Sequence, residues 1–123
     1  MVGERVSVLV IDPNTTVRRV ILSFLDSVVE LSIVGEAGSG DEGVRLAHHL
    51  QPDLVLADNG LPDMSISTLI PAIKGGSPHS QVLVLSTYDI DIYRETALAS
   101  GAVDFILKLD LVERLGAAVR TIF

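Results

Sequence analysis

The chain has 123 residues, of which 48% are hydrophobic and only 4% aromatic, and its formal net charge is −7 at pH 7. This length suits one domain with a real hydrophobic core, built mostly from aliphatic side chains. The negative charge opposes direct binding to nucleic acid or to an anionic membrane. The absence of cysteine excludes a disulfide framework, a thiol nucleophile and a cysteine-ligated zinc site.

Residues 1–5 do not have the layout of a signal peptide. No apolar stretch approaches the roughly 18 residues that are needed to span a bilayer. We therefore expect a soluble, cytoplasmic protein that makes no membrane contact.

The first predicted elements are a strand and an amphipathic helix. Residues 6–11 form a short apolar run rich in β-branched side chains, which predicts a buried strand. Apolar residues then recur with helical spacing, and Asn14 or Thr15 can cap the start of that helix. The apolar stripe consists of Val17, Val20, Ile21, Phe24, Leu25 and Val28.

A second strand and a second helix follow. The strand is predicted around Ser32–Ala37. Ser39 and Glu42 then have the spacing of a capping box, with Ser39 as N-cap and Glu42 at N3. This helix must end at Gln51-Pro52, because proline lacks the N–H that a helix interior needs. Leu54–Ala57 is the third predicted strand.

The middle of the chain predicts a loop and a short helix. The stretch Asp58–Ser67 has the composition of a loop, and a helix is predicted to start near Ser65 or Ser67. Pro71 would break a helix interior, but it is tolerable within the first turn if Ser67 is the cap. The helix is therefore expected to be short and to end at Gly75-Gly76.

The last third of the chain continues the alternation. Val82–Leu85 is the fourth predicted strand, and Asp89 or Asp91 is predicted to cap a helix that ends at Gly101. Val103–Leu107 is the fifth predicted strand. A final helix carries the apolar residues Leu111, Leu115, Ala118, Val119 and Ile122. Five alternating β and α elements predict an α/β fold with a parallel sheet and right-handed crossovers.

Four polar residues lie at or just past the ends of predicted strands. Asp12 follows the first strand, Asp58 the third, Ser86 the fourth and Lys108 the fifth. Since ligands of open α/β sheets bind outside the carboxyl ends of the strands, we expect these side chains to converge on one edge. Two carboxylates, a hydroxyl and an ammonium are suited to holding a hard metal ion and a phosphoryl group.

The order and spacing of these residues resemble the receiver domain of bacterial two-component response regulators, from Val6 to about Ile122. The resemblance implies a flavodoxin-like, doubly wound (βα)₅ sandwich with strand order 2-1-3-4-5. It also implies that residues 1–123 are a single receiver domain and that any output domain is absent from this chain. The features that carry the resemblance are Asp12, Asp58-x-x-x-Pro62, Ser86, Phe105 and Lys108.

The resemblance also implies the roles of the site residues. Asp58 would accept a phosphoryl group from a sensor histidine kinase. Lys108 would pair with Asp58 at rest and with phosphoryl oxygens afterwards, and Ser86 would donate a hydrogen bond to the phosphoryl group. Ser86 and Phe105 would act as the conformational switch, which the last two helices transmit to an output.

A magnesium ion is implied in the same way, with Asp12, Asp58 and the carbonyl of Gly60 as ligands. The family usually has a second acid directly after the first strand, whereas this chain has Pro13. Because Mg²⁺ commonly uses one or two carboxylates together with phosphate, we expect weakened metal binding at this site. Ile66 is a second departure, since the family usually has glycine there.

The resemblance implies a signalling domain and not an enzyme. The segments Val34-Gly35-Glu36-Ala37 and Ser86-Thr87-Tyr88-Asp89 resemble the subfamily with helix-turn-helix output domains. A C-terminal DNA-binding output domain and a role in transcription regulation are therefore expected for the full-length protein, and a homodimer is compatible with them.

Three alternatives stay open. A pseudo-receiver would use the same fold as a binding module without phosphorylation, which Pro13 favours and the otherwise intact site opposes. A flavodoxin-like cofactor binder would need a phosphate-cradling loop after the first strand, and residues 12–16 match one poorly. A phosphohydrolase with an aspartyl-phosphate would need a second acid two residues after the nucleophile, where this chain has Gly60.

Overall fold

The computed structural model describes residues 5–123, so residues 1–4, which belong to the segment assessed for a signal peptide, lie outside the described part. Its strands and α-helices alternate strictly, with a 3₁₀ turn (Lys108–Asp110) before the last helix. In chain order they are β1 (Val6–Ile11), α1 (Thr15–Asp26), β2 (Leu31–Ala37), α2 (Gly40–Leu50), β3 (Leu54–Asp58), α3 (Ile66–Gly76), β4 (Gln81–Ser86), α4 (Asp91–Ala99), β5 (Asp104–Leu107) and α5 (Leu111–Ile122). None of the helices within residues 5–123 combines the length and the apolar character that crossing a membrane requires.

The strands form one parallel sheet in the order β2-β1-β3-β4-β5. This confirms the expected flavodoxin-like, doubly wound sandwich, and the strand bounds agree with the predicted ones to within one residue. The carboxyl ends of β1, β3, β4 and β5 consequently lie at the same edge of the sheet.

The interior strands β1, β3 and β4 are buried on both faces, which explains why they are almost entirely apolar, whereas the edge strand β2 is partly exposed. Leu9 and Ile11 of β1 belong to one core cluster with residues of α2, α3 and α4. Val8 and Val10 point to the opposite face and belong to a second cluster with residues of α1 and α5. Val20, predicted as part of the apolar stripe of α1, is 65% exposed and does not contribute to this core.

The capping predictions for the first two helices are confirmed. Asn14 Oδ1 accepts a hydrogen bond from the Val17 N–H at the start of α1. Ser39 Oγ accepts one from the Glu42 N–H at the start of α2. The Glu42 carboxylate completes the arrangement by accepting from the N–H of Gly38, one residue before the N-cap.

Of the two predicted starts of α3 the structure has the earlier one, the predicted end at Gly75-Gly76 is confirmed, and the expectation of a short helix with Pro71 in its first turn was wrong. Ser65 is the N-cap, the helix runs for 11 residues, and Pro71 lies in its interior. Proline has no N–H to donate to the carbonyl of Ser67, four residues earlier. The helix persists because one side of it is buried in the core, through Ile66, Leu69, Ile70 and Ile73.

The start of α4 also differs from the prediction. Its N-cap is Ile90, which makes no side-chain hydrogen bond to the helix, so neither Asp89 nor Asp91 is the cap. Asp91 lies within the first turn, where its negative charge interacts favourably with the positive end of the helix dipole. The predicted end is confirmed, since Gly101 follows the C-cap with a φ of 107°, a left-handed conformation that glycine adopts readily.

Candidate functional site

Three of the predicted site residues are in direct contact at the carboxyl edge of the sheet. Lys108 Nζ lies 2.6 Å from Asp12 Oδ2 and 2.6 Å from Asp58 Oδ1. Asp12 follows β1 and Asp58 ends β3, and these two strands are neighbours in the sheet. Lys108 follows the edge strand β5, so its long side chain reaches across the sheet end to both carboxylates.

The two carboxylates are buried and fixed in orientation. Asp12 is 1% exposed and Asp58 is 7% exposed. The second oxygen of each accepts a backbone hydrogen bond from the residue two positions on, Asn14 for Asp12 (2.9 Å) and Gly60 for Asp58 (2.8 Å). Such local bonds hold an Asp side chain in one rotamer. Both carboxylates therefore keep one oxygen directed at the Lys108 ammonium.

The electrostatics favour a charged Lys108. Burial by itself lowers the pKa of this ammonium, but hydrogen bonds to Asp12 and Asp58 and their negative charges outweigh that cost. The pKa of Lys108 is consequently raised above its ordinary value of 10.5. The group of two carboxylates and one ammonium retains a net negative charge, which can attract a cation.

Ser86 lies at the same edge, but its hydroxyl is engaged locally. It is 2% exposed, and Oγ donates to the Tyr88 carbonyl at 2.9 Å and accepts from the Tyr88 N–H at 3.1 Å. A cavity of about 260 Å³ opens beside it. The cavity is lined by Asp58, Asn59, Gly60, Ser86, Thr87, Tyr88 and Tyr93. Ser86 and Asp58 therefore face one common space, although no hydrogen bond joins them.

Phe105 lies in β5, two residues before the strand ends at that edge, and its side chain is inside the core. It is fully buried and pairs with Val84 in the sheet, whereas Ser86 pairs with Leu107. The guanidinium carbon of Arg94 lies 4.8 Å from the centre of the Phe105 ring, and Arg94 Nη1 donates to the Phe105 carbonyl at 3.2 Å. Sequence reasoning missed Arg94, because nothing in its helical spacing indicates which strand residue it meets.

Asp63 is a second residue that the sequence analysis missed. Its carboxylate accepts hydrogen bonds from the N–H groups of Asp41 (2.9 Å) and Gly40 (2.8 Å), at the start of α2. These bonds, that of Asp41 first, lower the pKa of Asp63 below its ordinary 3.8. The sequence offered only one indication of this role, an acidic residue in the loop after Asp58. The N–H groups that Asp63 binds begin at Gly40, 23 residues earlier in the chain, so no local pattern connects them.

The donor set fits a hard divalent cation with two protein carboxylates. The oxygens of Asp12 and Asp58 already converge on one ammonium, so they can also converge on one metal ion. Gly60 packs beside Asp58, since a Cβ at that glycine would lie 3.2 Å from Asp58 Oδ2. Within residues 5–123 no three acidic, histidine or cysteine side chains cluster as a metal site. Pro13 follows Asp12, where a further acid would add a third carboxylate, and two carboxylates are within the number that Mg²⁺ uses, since it completes its shell with water and phosphate.

Comparisons with known proteins agree with this geometry. The model of the response regulator receiver domain family matches residues 8–120. Response regulator protein VraR of Staphylococcus aureus is 36% identical over 117 residues, an alignment that covers 94% of this chain and 55% of VraR. The chain thus spans about half the length of the curated relatives it matches.

Solved structures extend the comparison to the fold. The signal receiver domain of NarL from Mycobacterium tuberculosis superposes with a TM-score of 0.84 at 28% identity, covering 95% of this chain and 98% of that domain. A response regulator protein from Burkholderia pseudomallei, solved with a phosphorylated aspartic acid, a calcium ion and citrate, gives 0.81 at 26% identity. That alignment covers 94% of this chain and 66% of the other.

Proposed function

This chain belongs to the response regulator receiver domain family, and we propose that Asp58 is the residue on which it accepts a phosphoryl group. The observation that carries the proposal is the shared ammonium of Lys108, which lies 2.6 Å from both Asp58 and Asp12. It places a positive charge beside a buried carboxylate at the edge where open α/β sheets bind ligands. The cavity beside Asp58 provides the space for a phosphoryl group.

The proposed donor is a phosphohistidine of a sensor histidine kinase. An oxygen of Asp58 forms a bond to phosphorus while the phosphorus–nitrogen bond of the donor breaks. The leaving imidazole nitrogen keeps the electron pair and takes up a proton. Such a transfer depends mainly on positioning and on charge stabilisation, which suits a carboxylate that is fixed by Gly60 and paired with Lys108.

We assign Mg²⁺ to Asp12, Asp58 and the Gly60 carbonyl. When bound, the ion would neutralise negative charge on the phosphoryl oxygens. The phosphorylated aspartic acid and the calcium ion in the Burkholderia pseudomallei protein support an aspartyl phosphate and a divalent cation in this family. With Pro13 in place of a further acid, we expect the affinity of this chain for Mg²⁺ to be reduced.

The proposed switch uses Ser86 and Phe105. After phosphorylation the Ser86 hydroxyl would exchange its bond to the Tyr88 carbonyl for one to a phosphoryl oxygen. This exchange would release the start of the loop that leads to α4, while Lys108 moves with the phosphoryl group at the end of β5. A charge change at the site would in this way bias a two-state element.

We further propose that residues 1–123 act as one receiver domain that controls a C-terminal DNA-binding output domain in the cytoplasm. The part of VraR outside the alignment leaves room for such a domain. A homodimer is compatible with this proposal, and the chain's net charge of −7 is the reason to assign DNA contact to the output domain.

The test is the intact mass of the protein after incubation with a small phosphodonor and Mg²⁺. We expect the wild type to gain the mass of one phosphoryl group and Asp58→Asn to gain none. Asp89→Asn is the matched control, because it removes an exposed carboxylate from the neighbouring loop and should leave the mass gain unchanged.

A gain that persists in Asp58→Asn would place the acceptor elsewhere. No gain in the wild type at any Mg²⁺ concentration would favour the pseudo-receiver, the alternative that Pro13 supports.

A further inference from the structure

The loop that follows Asp58 is attached to the protein at both of its ends. At the near end, the Asn59 N–H donates to the Leu85 carbonyl of β4 at 2.8 Å, and the Gly60 N–H donates to Asp58 Oδ2 at 2.8 Å. Leu61 is buried at 8% exposure and packs into the core. The backbone of Gly60 is continuous with the far end of the loop through only two residues, Leu61 and Pro62.

At its far end the loop meets the N-terminus of α2. The two oxygens of the Asp63 carboxylate accept from two successive N–H groups, those of Gly40 and Asp41. Met64 packs directly on Gly40, where a Cβ would overlap its side chain. We call the two hydrogen bonds of Asp63 to Gly40 and Asp41 the Asp63 anchor.

The Asp63 anchor is separate from the local cap of α2. Ser39 already satisfies the N–H of Glu42, as a serine at the N-cap does in many helices. Asp63 satisfies two further N–H groups, those of Gly40 and Asp41, from a different part of the chain and at the positive end of the helix dipole. Its lowered pKa keeps the carboxylate ionised at neutral pH, so these charge-assisted bonds persist.

We infer that Asp63 is a positioning residue for the phosphoryl site, which acts by holding the Asn59–Pro62 loop against α2. The anchor fixes one end of a short loop whose other end carries Gly60 and its hydrogen bond to Asp58. With the anchor removed, we expect the backbone at Gly60 to move more freely relative to the Asp58 carboxylate, to which its N–H donates. The effect on phosphoryl transfer rests on the proposed function of Asp58, whereas the effect on the loop does not.

The experiment compares Asp63→Ala with Ser39→Ala. Both variants remove hydrogen bonds from the start of α2, but only the first removes a bond to the loop. Amide hydrogen exchange is followed at Gly60 and Leu61 without metal or phosphodonor. We expect exchange there to become several-fold faster in Asp63→Ala and to stay at the wild-type rate in Ser39→Ala.

Asp63→Asn provides a graded comparison. Its amide oxygen can accept one of the two hydrogen bonds, so exchange at Gly60 and Leu61 should lie between wild type and Asp63→Ala. Mg²⁺ affinity, measured by titration, and the rate of mass gain with a small phosphodonor should fall in the same order. Because Asp63 is exposed, none of these substitutions removes core packing.

Equal exchange at Gly60 in Asp63→Ala and Ser39→Ala would overturn the inference, since Asp63 would then be only a helix cap. If Asp63→Ala changes amide exchange in α2 but not at Gly60 and Leu61, the inference is overturned as well. A wild type that gains no phosphoryl mass would count against the proposed function of Asp58, while the exchange experiment would still decide the role of Asp63.

Discussion

The Lys108 ammonium donates a hydrogen bond of 2.6 Å to the carboxylate of Asp12, a residue 96 positions earlier in the chain. This contact joins the end of the interior strand β1 to the end of the edge strand β5. Asp12 is almost completely buried, and Lys108 also binds Asp58. One lysine is therefore the shared cationic partner of two buried carboxylates, and its removal affects both.

Lys108→Met should lower the free energy of unfolding by about 2 kcal/mol, the scale of a hydrogen bond to a charged group. Methionine keeps an apolar stem but leaves Asp12 and Asp58 without a cation. Denaturant unfolding of the two proteins measures the difference. Since the folded-state pKa of Lys108 is raised above 10.5, this stabilisation is fully present below pH 10.5 and is lost as pH rises through the raised value.

Lys74→Met is the matched control, because Lys74 is the other lysine of the chain and forms no ion pair within the described residues. It should change the free energy of unfolding by no more than about 0.5 kcal/mol, because Lys74 is only half-buried and its loss leaves no buried charge without a partner. A loss of stability in Lys108→Met no larger than this would show that the two carboxylates are not held by the ammonium in solution.

Pro13→Asp should tighten Mg²⁺ binding by about 1–3 kcal/mol, the range of a charge-assisted contact. The substitution adds a carboxylate next to Asp12. The candidate metal ligands would then include three carboxylates, those of residues 12, 13 and 58, where the wild type has two. Isothermal titration with Mg²⁺ measures the change. Asn14→Asp adds the same charge one residue further on, where the side chain caps α1. Equal gains in both variants would mean that residue 13 acts only through long-range charge.

Pro71→Ala should raise the free energy of unfolding by about 1–2 kcal/mol, because alanine is by far the better residue in a helix interior. It restores an N–H that can donate to the Ser67 carbonyl, and the smaller entropy loss of proline on folding offsets part of the gain. Denaturant unfolding gives the value. Pro78→Ala, in the exposed turn after α3, should instead be neutral or slightly destabilising. A destabilised Pro71→Ala would show that the proline ring packs favourably at this position.

The alternation of strands and helices and the meeting of Asp12, Asp58 and Lys108 could be predicted because they depend on periodicity and on chain direction, whereas the strand order was implied by the resemblance to receiver domains. Alternating β and α elements imply a parallel sheet, and the carboxyl ends of parallel strands must share one edge. The caps at Asn14 and Ser39 were equally predictable, since each involves neighbours in sequence.

Contacts that depend on the orientation of a helix or loop against another element could not be predicted in this way. The bond of Asp63 to α2 and that of Arg94 to Phe105 depend on how helices are oriented on the sheet, which no local pattern specifies. Pro71 misled the prediction of α3 for a related reason. The burial of an apolar helix face in the tertiary core outweighed the local preference against an interior proline.

The contact of Arg94 with Phe105 attaches α4 to the sheet. Ala97 is the one buried residue of α4, so this helix has little apolar packing of its own. Within residues 5–123 Arg94 forms no ion pair, and its guanidinium lies over the buried ring of Phe105 and donates to the carbonyl of that residue. Any movement of Phe105 in the proposed switch must therefore displace or break this contact.

Arg94→Met should lower the free energy of unfolding by about 0.5–2 kcal/mol, the range of a cation–π contact that is partly desolvated. Amide exchange should become faster throughout α4, because the helix loses its polar attachment to β5. Arg94→Lys keeps a cation but not the planar guanidinium, so it should restore only part of the protection. Arg45→Met is the control, since Arg45 forms an exposed ion pair with Asp41 that contributes little. If exchange in α4 is the same in Arg94→Met as in Arg45→Met, α4 is held by Ala97 and its neighbours, and Arg94 does not connect it to Phe105.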